Sequence, residues 1–185
     1  MTDRTPLIAL LAARSTKRGR FTLASGKTSD LYIDARLTTM SPDGLQLIGS
    51  LGLDTLRAQA WTVDAVGGLT LGADPIAYAI SYASASSDKP VRAFTVRKQT
   101  KSHGTAKLIE GPFVAGDRVA VVEDVITTGG SALQAIDAVR HAGGVVIGVL
   151  ALVDREEGGR EAIEATGIRV VSMVRASEIT AILPS

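Results

Sequence analysis

The chain has 185 residues, 45% hydrophobic but only 4% aromatic, with 20 lysines and arginines against 19 acidic residues; that length suits one domain with a real core. Near-neutral charge excludes a strong overall field for nucleic acid or an anionic membrane, so any anion must be met by a local cluster. With no cysteine and two histidines, disulfides, thiolate nucleophiles and thiolate zinc sites are excluded.

In chain order, Thr5-Pro6 offers a cap and a first helical residue, and Leu7, Leu10 and Leu11 share one face of a helix ending near Arg14. Arg14, Lys17, Arg18 and Arg20 follow this short apolar run, the reverse of a secretory signal, and no apolar stretch approaches the roughly 20 residues of a membrane span. A cytoplasmic protein is expected. Phe21–Leu23 and Leu31–Ile33 flank a turn-rich segment and read as a hairpin.

Ser41-Pro42-Asp43 starts a helix whose stripe Leu45, Ile48 and Leu56 runs towards Trp61. A strand at Val63–Val66 is expected next, then a Gly67-Gly68 turn, a helix from Asp74-Pro75 through Ala85, and a strand at Val91–Val96. Arg118–Val122 and Val145–Val153 are continuously apolar, which marks strands covered on both faces, and Ser131–His141 is a helix between them. The tail adds a strand at Ile168–Val171 and a helix at Ser177–Leu183. Strands alternating with helices predict an α/β fold with a parallel sheet.

The segment Val121-Val122-Glu123-Asp124-Val125-Ile126-Thr127-Thr128-Gly129-Gly130-Ser131 carries the chemistry. A buried strand ends in two acids and passes through hydroxyls and glycines into a helix. Backbone N–H groups and the positive end of the helix suit a phosphate at Thr127–Ser131. Carboxylates repel phosphate, so Glu123 and Asp124 must meet another part of the ligand, and a ribose diol fits them, with magnesium as a second partner directly or through water. The spacing is neither that of an ATP-type phosphate loop nor that of a dinucleotide fingerprint. The bland alternative is a strand end, a turn and Ser131 as a helix cap.

A second cluster, Arg97-Lys98-Gln99-Thr100-Lys101-Ser102-His103-Gly104, groups four potential cations without helix or strand periodicity, as a lid or a solvated basic loop would. Arg155, just beyond a buried strand, either pairs with a substrate carboxylate or bridges Asp154 or Glu156. Tyr32 either stacks on a flat base or packs in the core, with Ser25 and Gly26 beside it. Gly67–Gly72 can aim N–H groups at pyrophosphate or simply turn the chain.

The string from Val121 to Ser131 resembles the phosphoribosyl pyrophosphate signature of type I phosphoribosyltransferases. Arg-Lys-x-x-Lys-x-His-Gly resembles the lid of the orotate phosphoribosyltransferases among them, and Phe21–Gly26 with Ser29 and Tyr32, Gly67–Pro75 and Asp154-Arg155 agree. The resemblance spans about Phe21 to Arg155. It implies a single domain over residues 1–185, a parallel sheet flanked by helices (core about 41–185) under a small N-terminal hood (about 1–40).

It further implies Mg²⁺-dependent transfer of phosphoribose from phosphoribosyl pyrophosphate to orotate, in a homodimer with shared sites and with neither nucleic acid nor membrane as partner. Arg97, Lys98, Lys101 and His103 would contact pyrophosphate, Lys101 as catalytic cation, from a lid serving the neighbouring subunit. Lys107 is left as a solvated lysine. Thr127, Thr128, Gly129, Gly130 and Ser131 would hold the 5-phosphate, with Glu123 and Asp124 on the ribose and Asp124 counted as catalytic. Arg155, Ser25, Gly26 and Tyr32 would receive orotate. No residue is assigned as a dedicated metal ligand. Ala24 and Leu71 stand where many relatives have lysine, so two charges expected near pyrophosphate are absent. A phosphoribosyl pyrophosphate-sensing regulator, a transferase for another base and a sugar-phosphate-binding module are the alternatives.

Overall fold

The longest apolar runs become the centre of the sheet. In the computed structural model, which describes residues 3–22, 28–99 and 107–184, they form β6 (Arg118–Ile126) and β7 (Val145–Asp154). The two pair in parallel from Arg118↔Val145 to Ile126↔Asp154. Because side chains alternate along a strand, Ala120 and Val122 enter one apolar layer while Val119 and Val121 enter the other. Both faces of β6 are therefore dry, which accounts for the absence of polar alternation in its sequence.

Around them stand β3 (Ala65–Leu69), β4 (Arg92–Val96), β5 (Ile109–Glu110) and β8 (Val170–Arg175), in the spatial order β5-β4-β3-β6-β7-β8. All neighbours are parallel except the short edge strand β5, which runs antiparallel to β4. The chain leaves β3 for β4 on one side and later crosses back to place β6 on the other. That reversal opens a crevice beyond the carboxyl ends of β3 and β6, where open α/β sheets bind ligands.

Helices α3 (Pro42–Ala58) and α4 (Ala73–Ala83) pack on the first layer through Ile48, Leu51, Leu56, Ile76 and Ile80, and α5 (Gly130–His141) packs on the second through Ala135, Ile136 and Val139. The N-terminal segment begins with α1 (Thr5–Leu10), continues as a π-helical turn over Leu11–Ser15, and forms an antiparallel pair of β1 (Thr16–Thr22) with β2 (Thr28–Ile33). A short α2 (Arg36–Thr39) follows. Leu7, Leu11, Ile33 and Ala35 join the same apolar layer as Ile48 and Val174, so the hood is seated on the core by shared burial.

Several boundaries differ from the expectations. Gly67 and Gly68 lie inside β3, paired with Phe94 and Thr95 of β4, and do not form a turn; the turn begins after Leu69. Asp74 does not cap α4, whose N-cap is Gly72 with no side-chain bond. β6 continues through both acids to Ile126. Three elements absent from the sequence reading, α2, β5 and α6 (Gly159–Glu164), are too short to show periodicity. The tail elements shift to β8 and α7 (Ala176–Thr180).

Candidate active site

The crevice between β3 and β6 is a cleft of about 260 Å³. Its floor is Glu123, Asp124 and Val125 at the end of β6, one wall is Leu69–Gly72 after β3, and the hood closes another with Tyr32–Arg36; Lys98 and Ser131 stand at the rim. A larger cavity of about 540 Å³, near Arg57, Trp61 and Lys89, lies beside the segment entering β3, at the opposite end of that strand. Chemistry converges on the smaller one.

Asp124 and Glu123 alternate in direction along β6 yet sit in different environments. Asp124 is partly exposed, and one carboxylate oxygen accepts the Val125 N–H at 2.8 Å. Glu123 is 8% exposed, and its Oε2 has no partner among the described residues. Burial, reinforced by the neighbouring Asp124 charge, pushes the Glu123 carboxyl up to about 9. One acid is thus poised neutral and the other is open to the cleft.

Beyond β6, Thr127 and Thr128 lead to Gly129, whose φ of +81° starts α5. A side chain there would also meet the Gly159 carbonyl at 2.8 Å, so only glycine fits this bend. No side chain caps α5, and Thr128, Gly130 and Ser131 are exposed. The unspent N–H groups of the first helical turn are therefore free to meet an anion. Ser131, read as a possible cap, is the second residue of the helix instead.

The loop after β3 is tied down by Asp74, which accepts the hydroxyls of Thr70 at 2.7 Å and Thr95 at 2.8 Å. The Thr70–Leu71 peptide is cis, and Leu71 is exposed. Gly72 lies against Asp124: a Cβ built on it would stand 2.5 Å from the Asp124 carboxyl carbon. Two loops distant in sequence thus meet at one carboxylate.

Arg155 lies 6% exposed on the other side of the acid pair's strand. Its Nη2 donates to Ser29 Oγ (3.0 Å), the Leu31 carbonyl (3.1 Å) and Glu157 (2.5 Å), so it fastens β2 to the end of β7. Neither Asp154 nor Glu156 is its partner; Asp154 is taken by Arg160 at 2.8 Å. The Arg155 Nε is buried with no partner among the described residues. Tyr32, on the cleft wall, packs on Phe21 with ring centroids 5.3 Å apart.

Of the basic cluster, Lys98 lines the cleft, whereas Arg97 pairs with Glu110 at 2.8 Å. Lys101 and His103, like Ser25 and Gly26, lie outside the described residues. The structure brings Tyr32, Lys98, Glu123, Asp124 and Ser131 together at the cleft and sets Thr127–Gly130 beside it. Sequence reasoning missed Asp34, Arg36 and Asp74. The first two form a bidentate ion pair, Nε to Oδ1 at 2.8 Å and Nη2 to Oδ2 at 3.0 Å, which holds the Asp34 carboxyl below its usual range. An acid and a base two residues apart after a strand were the available signal.

The chain also resembles known proteins over nearly its whole length. It is 48% identical over 182 residues to the orotate phosphoribosyltransferase of Aquifex aeolicus (strain VF5), covering 97% of this chain and 98% of that one. The crystal structure of Mycobacterium tuberculosis H37Rv orotate phosphoribosyltransferase in complex with Fe(III) dicitrate superposes with a TM-score of 0.84 at 46% identity, over 96% of this chain and 99% of that one. The same mycobacterial enzyme in complex with 5-phospho-alpha-D-ribosyl 1-diphosphate superposes at 0.80 and 42% identity, over 97% and 99%. No protein-family model matches the chain.

Proposed function

The chain belongs to the orotate phosphoribosyltransferases, and we propose that the cleft between β3 and β6 moves phosphoribose from phosphoribosyl pyrophosphate to a ring nitrogen of orotate, giving orotidine 5'-monophosphate and pyrophosphate. The observation that carries this assignment of the site is the pairing of an uncapped helix start with two neighbouring acids, one buried and one open to the cleft, at the switch point of the sheet.

In this reading the 5-phosphate sits on Thr127, Thr128, Gly129, Gly130 and Ser131, where backbone donors are unspent. Asp124 accepts a ribose hydroxyl, while Glu123, neutral at physiological pH, has a proton to donate to the other. Orotate lies towards Tyr32, with Ser25 and Gly26 beside it. The unpaired Nε of Arg155 supports that residue as the partner of the orotate carboxylate. Lys98, with Arg97, Lys101 and His103 of the lid, receives the charge that grows on pyrophosphate as the C1–oxygen bond breaks. Arg97 must first leave Glu110.

Little acid-base chemistry is required, since the ring nitrogen of orotate is readily prepared as an anion and pyrophosphate leaves as one. Positioning and electrostatics carry the rate. In this reading the magnesium ion arrives on substrate oxygens, with Asp124 reaching it through water. Bound Mg²⁺ would neutralise pyrophosphate oxygens.

The lid is read as completing a partner subunit's site in a homodimer. An apolar groove between α3 and α4, with Leu45, Tyr78 and Tyr82 along it, supports a surface for that contact. The cytoplasm is the proposed location; no helix among the described residues is long and apolar enough to cross a membrane. A non-enzymatic sensor is not favoured, because the relatives at 45–48% identity are transferases by name. The test is loss of orotate absorbance with phosphoribosyl pyrophosphate and magnesium, run beside uracil, adenine and hypoxanthine. Orotate-specific turnover is expected; turnover of a purine alone, or none, would overturn the reading.

A further inference from the structure

The proposed substrate is a polyanion, yet among the described residues the cleft that would hold it is poor in positive charge. Asp124 lies open in it, and Leu71 on its wall brings no cation. Among the described residues lining the cleft, the cations are Lys98 at the rim and Arg36 from the hood. Arg97 is engaged by Glu110.

Arg36 is built to stay available. Asp34 grips its Nε and one Nη2 hydrogen, and Asp34 is itself fixed: its N–H donates to the Ser15 carbonyl at 2.8 Å and its Oδ1 accepts the Arg36 N–H at 3.2 Å. Both Nη1 hydrogens and the second of Nη2 have no acceptor among the described residues. Asp34 strengthens the guanidinium's hold on its proton most, and Tyr32 and Asp124 add to it through space, which places Arg36 within electrostatic reach of the catalytic acid. Held by Asp34, it presents a rigid fork to the ligand, a geometry suited to phosphate oxygens.

We propose that Arg36, held in its fork by Asp34, is the hood's cation for the pyrophosphate group of phosphoribosyl pyrophosphate and supplies charge that Leu71 does not bring from the facing loop. This rests on the assignment of the cleft made above. Asp34 is the positioning residue, and Arg36 touches the substrate.

The experiment compares wild type with Arg36→Ala, Arg36→Lys and Arg36→Ala/Leu71→Lys. It reads melting temperature, both Michaelis constants, kcat, and calorimetric affinity for inorganic pyrophosphate with magnesium. Arg36→Ala should raise the phosphoribosyl pyrophosphate KM and the pyrophosphate Kd about 10- to 100-fold, as loss of a charge-assisted phosphate contact does, and leave the orotate KM within about twofold. Arg36→Lys should fall between the two. Leu71→Lys should recover at least about threefold of the pyrophosphate affinity in the alanine background, because it restores charge to the same cleft from the facing loop. Unchanged pyrophosphate affinity in Arg36→Ala, equal losses for orotate and pyrophosphate, or no recovery with Leu71→Lys would each overturn the proposal. If the wild type turned over no orotate, the assigned reaction would fail instead. The comparison of pyrophosphate affinities would still decide the role of Arg36.

Discussion

Replacing Glu123 with glutamine should change how the stability of the ligand-free protein depends on pH. In the fold the carboxyl is buried with an unpartnered oxygen and titrates at about 9, against the ordinary 4.5 that it regains on unfolding. Between those values the folded state holds one proton more than the unfolded state. The stability associated with that proton is fully present below about 4.5 and is lost as pH rises through about 9. The slope is at most about 1.4 kcal/mol per pH unit, so from pH 6 to pH 8 the wild type should lose up to about 2.7 kcal/mol. For a chain of this size each kcal/mol moves the melting temperature by about 2–4 °C, giving a drop of up to roughly 5–11 °C.

Glutamine keeps the shape of the residue and removes its titration. Melting curves should therefore be collected from pH 5 to pH 9 in chelator without substrate. The variant should gain several degrees on the wild type as pH rises, while its turnover falls because it lacks a carboxyl for the ribose. Parallel curves would mean that Glu123 is already ionised in the fold, and the distinction between the two acids would collapse.

Gly72→Ala should leave the melting temperature nearly unchanged but lower kcat/KM about 10- to 100-fold, because the new Cβ, 2.5 Å from the Asp124 carboxyl carbon, displaces a flexible side chain and not the backbone. Unaltered kinetics would show that the position of Asp124 does not matter. Arg155→Ala should raise the orotate KM about 10- to 100-fold and the phosphoribosyl pyrophosphate KM far less; equal rises would point to a displaced β2, which Arg155 also holds. If the lid serves the partner's site, mixing Lys101→Ala with Asp124→Asn under subunit exchange should restore about a quarter of wild-type activity, since half the dimers are hybrids with one intact site of two. Activity that stays at the level of either mutant alone, with exchange verified by mass spectrometry, would confine the lid to its own subunit.

What the sequence determined by itself is what depends on neighbours along the chain. The unbroken apolarity of Val119–Val122 and Val149–Val153 specifies strands covered on both faces, and the passage from Glu123-Asp124 through glycines into a helix marks where a ribose phosphate is to be sought. Residues whose meaning is set by distant partners were opaque. Gly67 and Gly68 read as a turn because glycine usually turns a chain, but between β4 and β6 they extend a strand. Asp74 read as a helix cap, yet Thr70 and Thr95 claim both its oxygens. Asp34-Ala35-Arg36 drew no reading from the sequence, and it is the hood's seating in the shared core that carries it to the cleft wall. Only the tertiary structure decided which charges face one another, because Arg36, Gly72 and Asp124 converge, and Arg155 meets β2, through strand order and hood packing, which no local pattern encodes.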